Sequence, residues 1–151
     1  MKTSKERGQF IVREIAPLKG AGEMLTPEMV LDFWKNNIQD ADFFDPEKEH
    51  VIVAIVNQRL AVKGWGVVSI GSINESTAHP REIFKLAIIK SGYGIVLMHN
   101  HPSGVPDPSG ADRVVTKRCL EAGKIIGIEL LDHIIVGDEG KYFSFRESGA
   151  I

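Results

Sequence analysis

Residues Gly94–Asp112 read GIVLMHNHPSGVPDPSGAD. An apolar run leads into two histidines one residue apart, then into three prolines, and the stretch closes on Ser109 and Asp112. GIVLMHNH reads as a strand, and Pro102, Ser103 and Gly104 force a turn. The apolar residues spaced from Ala111 to Ala122 predict a helix that Gly123 stops. Alternate strand residues share a side, so His99 and His101 project together, about 6–7 Å apart, while Asn100 points away.

The rest of the chain builds outward from this connector. Thr26-Pro27-Glu28 predicts an N-cap, a first-turn proline and a dipole-matching acid. The helix they open should bury Met29, Val30, Phe33 and Trp34 and stop near Asn36-Asn37. HVIVAIVN (50–57) is a β-branched run without clean alternation, as expected of a strand covered on both faces. A turn near Gln58-Arg59 leads to the long strand LAVKGWGVVSIGS, in which Gly64 and Gly66 mark a bend or bulge. These two strands should pair antiparallel. His79 starts a helix with Pro80 in its first turn, Ile83, Leu86, Ala87 and Ile88 on its inner side, and Gly92 as its stop. IGIELLDHIIVG and YFSF are the last two strands. The order α-β-β-α-β-α-β-β describes an α/β sandwich with a mixed sheet rather than a doubly wound fold.

Composition sets the class. The chain has 151 residues, 43% hydrophobic and 25% charged, which suits one globular domain. It divides into an N-terminal segment, 1–25, and a single domain, 26–151. The segment holds five basic and three acidic residues (5 − 3 = +2), read as a solvated stretch with PLKGAGE irregular. The net charge of −2 does not support a nucleic-acid partner. No signal peptide and no membrane span are evident. Cys119 is the one cysteine, which excludes an intrachain disulfide and a Cys-rich metal site and fits a packed thiol in a cytoplasmic protein.

Ser109 and Asp112 alone resemble a capping box at a helix start, which needs no metal. Beside two histidines on one strand face they complete a different set. Two imidazoles and a carboxylate brought back by a short turn form a 2-His-1-carboxylate group with zinc-like chemistry, leaving one coordination position to water. A non-haem iron site shares these ligand types.

The pattern H-x-H-x7-S-x2-D, met by His99, His101, Ser109 and Asp112, resembles the JAMM (MPN-plus) metalloprotease domain. The blocks HPREIFKLAI, MHNHPSG, PSGAD, LLDHIIVG and SFRESG resemble its RadC branch, from about Asp45 to the C-terminus. The resemblance implies a JAMM (cytidine-deaminase-like) α-β-α sandwich with a mixed central sheet. It implies Zn2+ held by His99, His101 and Asp112, and hydrolysis of a peptide or isopeptide-linked protein substrate. It further implies a catalytic glutamate just ahead of the first central strand. Glu49 matches best, with Glu47 as the competitor, and Ser109 would donate to the developing oxyanion. Long RadC proteins carry an N-terminal helix-hairpin-helix region associated with DNA. Fewer than fifty residues precede the domain here, so the second reading, a non-enzymatic module in DNA repair, recombination or mobile-element biology, is weaker.

Asp132-His133 reads as structural or as a pair orienting a ligand. Asn57, where relatives often carry Asp, reads as a turn detail. Asn100 and Ser103 fit either the turn or the groove. Trp34 reads as core, and Trp65 as exposed near the bulge. The oligomeric state has no signature in the sequence.

Overall fold

The run His50–Val56 is buried at every position, and so is Gly94–Asn100. Only strands covered on both faces need such continuous apolar sequence, so these two form the centre of the sheet. The computed structural model describes residues 3–6, 10–13, 23–24, 26–73 and 77–151. In chain order its strands are β1 (Thr3–Glu6), β2 (Phe10–Arg13), β3 (His50–Val56), β4 (Val62–Ile70), β5 (Gly94–Asn100), β6 (Glu129–Val136) and β7 (Tyr142–Ser144). Its helices are α1 (Pro27–Trp34), α2 (Pro80–Ile89) and α3 (Gly110–Ile126), with a π-helical turn, Lys35–Gln39, continuing α1.

Among the described residues the strands lie in the order β1-β2-β4-β3-β5-β6-β7. β5 and β6 run parallel and the other neighbours antiparallel, which makes the sheet mixed, as expected. Alternation along the central strands divides the core. Val51, Val53, Ile55, Ile95 and Leu97 meet Ile83, Phe84 and Leu86 of α2 and Val115 and Cys119 of α3. Ile52, Ala54, Val56, Val96 and Met98 meet Val30, Phe33 and Trp34 of α1. The result is the α-β-α sandwich of a JAB/MPN fold.

Several local expectations need correction. β1 and β2 form a hairpin paired through β2 to β4, whereas the sequence reading placed no strand before residue 26. Most of PLKGAGE lies outside the described residues. Past Trp34, the helical chain continues to Gln39, three residues beyond Asn36, by widening into the π turn. Met29 is 39% and Ile88 62% exposed, because each falls just off the buried stripe of its helix. Trp65 is 4% exposed, packed between the rings of Phe33 and Phe43 rather than standing at the surface. Gly123 does not stop α3. A β-carbon there would sit 2.5 Å from the Ile128 carbonyl, so glycine allows the helix to pass, and Gly127, at φ 73°, takes the left-handed cap.

The bulge foreseen near Gly64 is present, as a register shift between Ile55 and Val56 opposite Gly64 and Val62. His79 caps α2, accepting from the Arg81 N–H. Asn57 closes the β3–β4 turn by accepting from Arg59 and Ala61. Cys119 is fully buried, which pushes its thiol up to about 12.

Candidate metal centre

Strand β5 ends at the turn that Pro102–Gly104 begins, and its last side chains on the α2–α3 face are His99 and, one step beyond, His101. The Gly104 N–H closes the turn on the His101 carbonyl, and Gly104 adopts φ 81°, a left-handed conformation that favours glycine, with the Asp138 side chain close against it. The chain then enters α3 through Ser109. The Ser109 hydroxyl accepts from the Asp112 N–H at 3.1 Å, and the Asp112 carboxylate accepts from the Ser109 N–H at 2.9 Å. This reciprocal capping box exists, and it aims Asp112 inward.

The cap and the metal reading are compatible. His99, His101 and Asp112 each offer one ligand atom, all within 4.8 Å of one another. His99 Nε2 stands 3.1 Å from His101 Nε2 and 3.2 Å from Asp112 Oδ1, and His101 Nε2 stands 3.1 Å from Asp112 Oδ2. His99 and Asp112 are fully buried, and His101 is 13% exposed.

The surrounding hydrogen bonds assign the tautomers. A carbonyl can only accept, so His101 Nδ1 carries the proton it donates to Val105 O at 2.8 Å. Thr116 donates its single hydroxyl proton to Asp112 O at 2.8 Å, so it accepts from His133 Nδ1 at 2.6 Å. His133 Nε2 is then an acceptor and takes the proton of His99 Nδ1 at 2.8 Å. In their neutral forms both histidines therefore present an unprotonated Nε2 to the centre. Burial drives His133 well below its ordinary value, which keeps it neutral in this chain.

Burial works to raise the Asp112 carboxyl, but the imidazoles of His101 and His99 against it, when they carry a proton and no metal lies between them, hold it well below the usual carboxylate range. Its Oδ1 is buried without a hydrogen-bond partner. Two imidazole lone pairs and a carboxylate facing one another repel unless a cation lies between them, so the donor set fits a metal ion.

Glu49 precedes β3 on the same face. β3 pairs Val51 with His99, and continuing that register sets Glu49 opposite His101. The Ile73 N–H donates to Glu49 Oε2 at 2.9 Å. When His101 Nε2 takes a proton in place of a metal, its bond to Asp112 raises His101 against burial, and the charge of Glu49 adds to the rise. Glu47 is exposed in the preceding turn, its N–H bonded to Asp45.

Residues 24–150 match the family model of the RadC-like JAB domain. The chain belongs to that family. A UPF0758 protein of Desulforamulus reducens is 48% identical over 110 residues, 73% of this chain and 48% of the relative. One from Alkaliphilus metalliredigens is 52% identical over 101 residues, 67% and 43% of the two chains. One from Trichlorobacter lovleyi is 42% identical over 126 residues, 83% and 52%. The chain spans about half the length of these relatives.

In this RadC-like JAB domain Asp132 and His133 have separate tasks. His133 orients His99. Asp132 faces away and ties the β6–β7 corner, accepting from the Ser144 hydroxyl at 2.6 Å and from the N–H groups of Arg146 and His133. Burial pushes its carboxyl above the ordinary range despite those donors. Ser103 stays in the turn, accepting from Val105 N. Thr116 escaped the sequence reading, although it lies one helical turn after Asp112 and so shares its face.

No helix among the described residues is long and apolar enough to cross a membrane.

Proposed function

We propose that this RadC-like JAB domain is a zinc-dependent hydrolase acting on peptide or isopeptide bonds. The observation that carries the reading is the convergence of ligand atoms from His99, His101 and Asp112 within 4.8 Å of one another, with Glu49 just ahead of β3 in the register of His101 and His101 partly exposed. A zinc ion held by His99, His101 and Asp112 would supply a Lewis acid that acidifies water and polarises a carbonyl.

The chain's own groups supply the proton traffic. Hydrolysis forms a C–O bond from water to the carbonyl carbon and breaks the C–N bond. Glu49 takes the water proton on Oε1, the oxygen that Ile73 does not engage, and returns it to the leaving nitrogen. Ser109 accepts from the Asp112 N–H, which leaves its own hydroxyl proton to donate to the carbonyl oxygen as that atom gains charge.

Two measurements test this. Metal analysis of the purified protein should find stoichiometric zinc, lost in His99→Ala and Asp112→Ala; iron in its place points to oxygenase chemistry, and no metal removes the foundation. On linear and isopeptide-linked peptides, Glu49→Gln should lower turnover by about 10²–10⁴-fold while zinc stays bound. Cleavage at the unmodified rate would show that Glu49 is not the base. Salt-sensitive binding to DNA that survives Glu49→Gln, without peptide cleavage, would favour the non-enzymatic module.

A further inference from the structure

Asn100 sits between the two ligand histidines and faces the other way, yet its carboxamide is bonded to the glutamate segment. Asn100 Oδ1 accepts from His50 N at 2.8 Å, and Asn100 Nδ2 donates to Lys48 O at 2.9 Å. These two backbone groups flank Glu49. The β3–β5 ladder ends at the pair Val51 and His99. A carboxamide carries the donor and acceptor of a peptide group, so Asn100 adds one more rung where the two backbones part.

The segment it grips is built to be held. His50 is fully buried beside Phe43 and Phe44; its Nδ1 donates to Lys48 O at 2.9 Å and its Nε2 accepts from Asp45 N at 3.3 Å. On the far side of Glu49, Gly71 N donates to the Glu49 carbonyl at 2.8 Å, and Ile73 N donates to its carboxylate.

We infer that Asn100 is a positioning residue that locks Glu49 in register with the metal ligands, so one strand sets both the metal and the base. The inference rests on the assignment of Glu49 as base. Asparagine is required over aspartate, because a carboxylate would set an oxygen against Lys48 O, and over serine, which cannot span both groups.

The test uses the zinc-loaded full chain and Asn100→Ala, with amide hydrogen exchange, zinc affinity and steady-state kinetics as readouts. The Ile73 amide donates to the Glu49 carboxylate, so its protection reports on how Glu49 is held. Its protection should fall by about tenfold, the scale of one lost hydrogen bond, with zinc affinity unchanged. Turnover should drop in kcat and not in KM.

Asn100→Asp keeps the acceptor for His50 N. It should leave that amide protected and still loosen Ile73, and it carries the test if the alanine variant does not fold. Unchanged Ile73 protection in both variants overturns the inference, as does zinc affinity falling in step with protection, which marks a general role in the strand. If Glu49→Gln proves harmless to turnover, the base assignment fails on its own evidence, and the exchange data still decide whether Asn100 holds Glu49.

Discussion

The two faces of the central strands are built from alternate residues of the same segments and differ in what their buried polar ends do: His50 and Asn100 tie down backbone on the α1 face, whereas His99 opens onto the candidate metal centre on the other. On the α1 face, Ile52, Ala54, Val56, Val96 and Met98 pack under Phe33, Trp34 and Trp65, with Phe33 edge-on to Trp65 at 6.3 Å. On the α2–α3 face, Val51, Val53, Ile55, Ile95 and Leu97 are as apolar, until His99. From there the buried neighbours are Asp112, Thr116 and His133. Burial of polar groups is costly unless each is bonded, and among Asp112, Thr116 and His133 the one side-chain atom left without a partner is Asp112 Oδ1, where the candidate ligand atoms meet. One face holds the fold together, and the end of the other is given to the site.

That division can be broken by substitution. Phe33→Ala removes a fully buried ring from the α1 face and should destabilise the protein by about 3–5 kcal/mol in urea unfolding. The folded fraction should bind zinc normally; a parallel loss of affinity would mean that the faces are not independent. His133→Leu strikes the other face. It removes the acceptor that fixes the His99 tautomer, so zinc affinity in chelator competition should fall by about 10–100-fold.

Smaller effects sharpen the contrast. Thr116→Val keeps the shape and the helix bond to the Asp112 carbonyl but strands the His133 Nδ1–H, at about 1–3 kcal/mol in thermal unfolding. Its zinc affinity should fall less than in the His133 variant, because the imidazole remains. In stability terms Ser109→Ala loses the N-cap oxygen of α3 and should cost about 1 kcal/mol in denaturant unfolding. A much larger loss would show that the cap, rather than the helix packing below it, holds Asp112 in place.

Much of the fold was legible because its signals are local. The β-branched run at 50–56 and the apolar run at 94–98 announce strands covered twice, and Thr26, His79 and Ser109 announce three helix starts. The errors arose where burial depends on a distant partner. Trp65 lies beside glycines yet is covered by Phe33 and Phe43, and Met29 is apolar yet turned outward. Gly123 carries a stop signal that close packing against Ile128 overrides. The β1–β2 hairpin depends on pairing with β4, which no local pattern within residues 3–13 reveals.

By itself the sequence determined the candidate ligand set, because strand alternation puts His99 and His101 on one side and the capping motif returns Asp112 to them. It could not say which of Asp132 and His133 stands behind His99. Ile95 pairs with Leu130 but Val96 with Asp132, so Leu131 is an extra residue in β6. Because side-chain direction alternates with period two, that one-residue shift turns His133 toward the metal centre and Asp132 away. The grip of Asn100 on Lys48 and His50 was hidden for a related reason: it joins residues about fifty apart, and only the antiparallel pairing of β3 with β5 brings them within reach of one carboxamide.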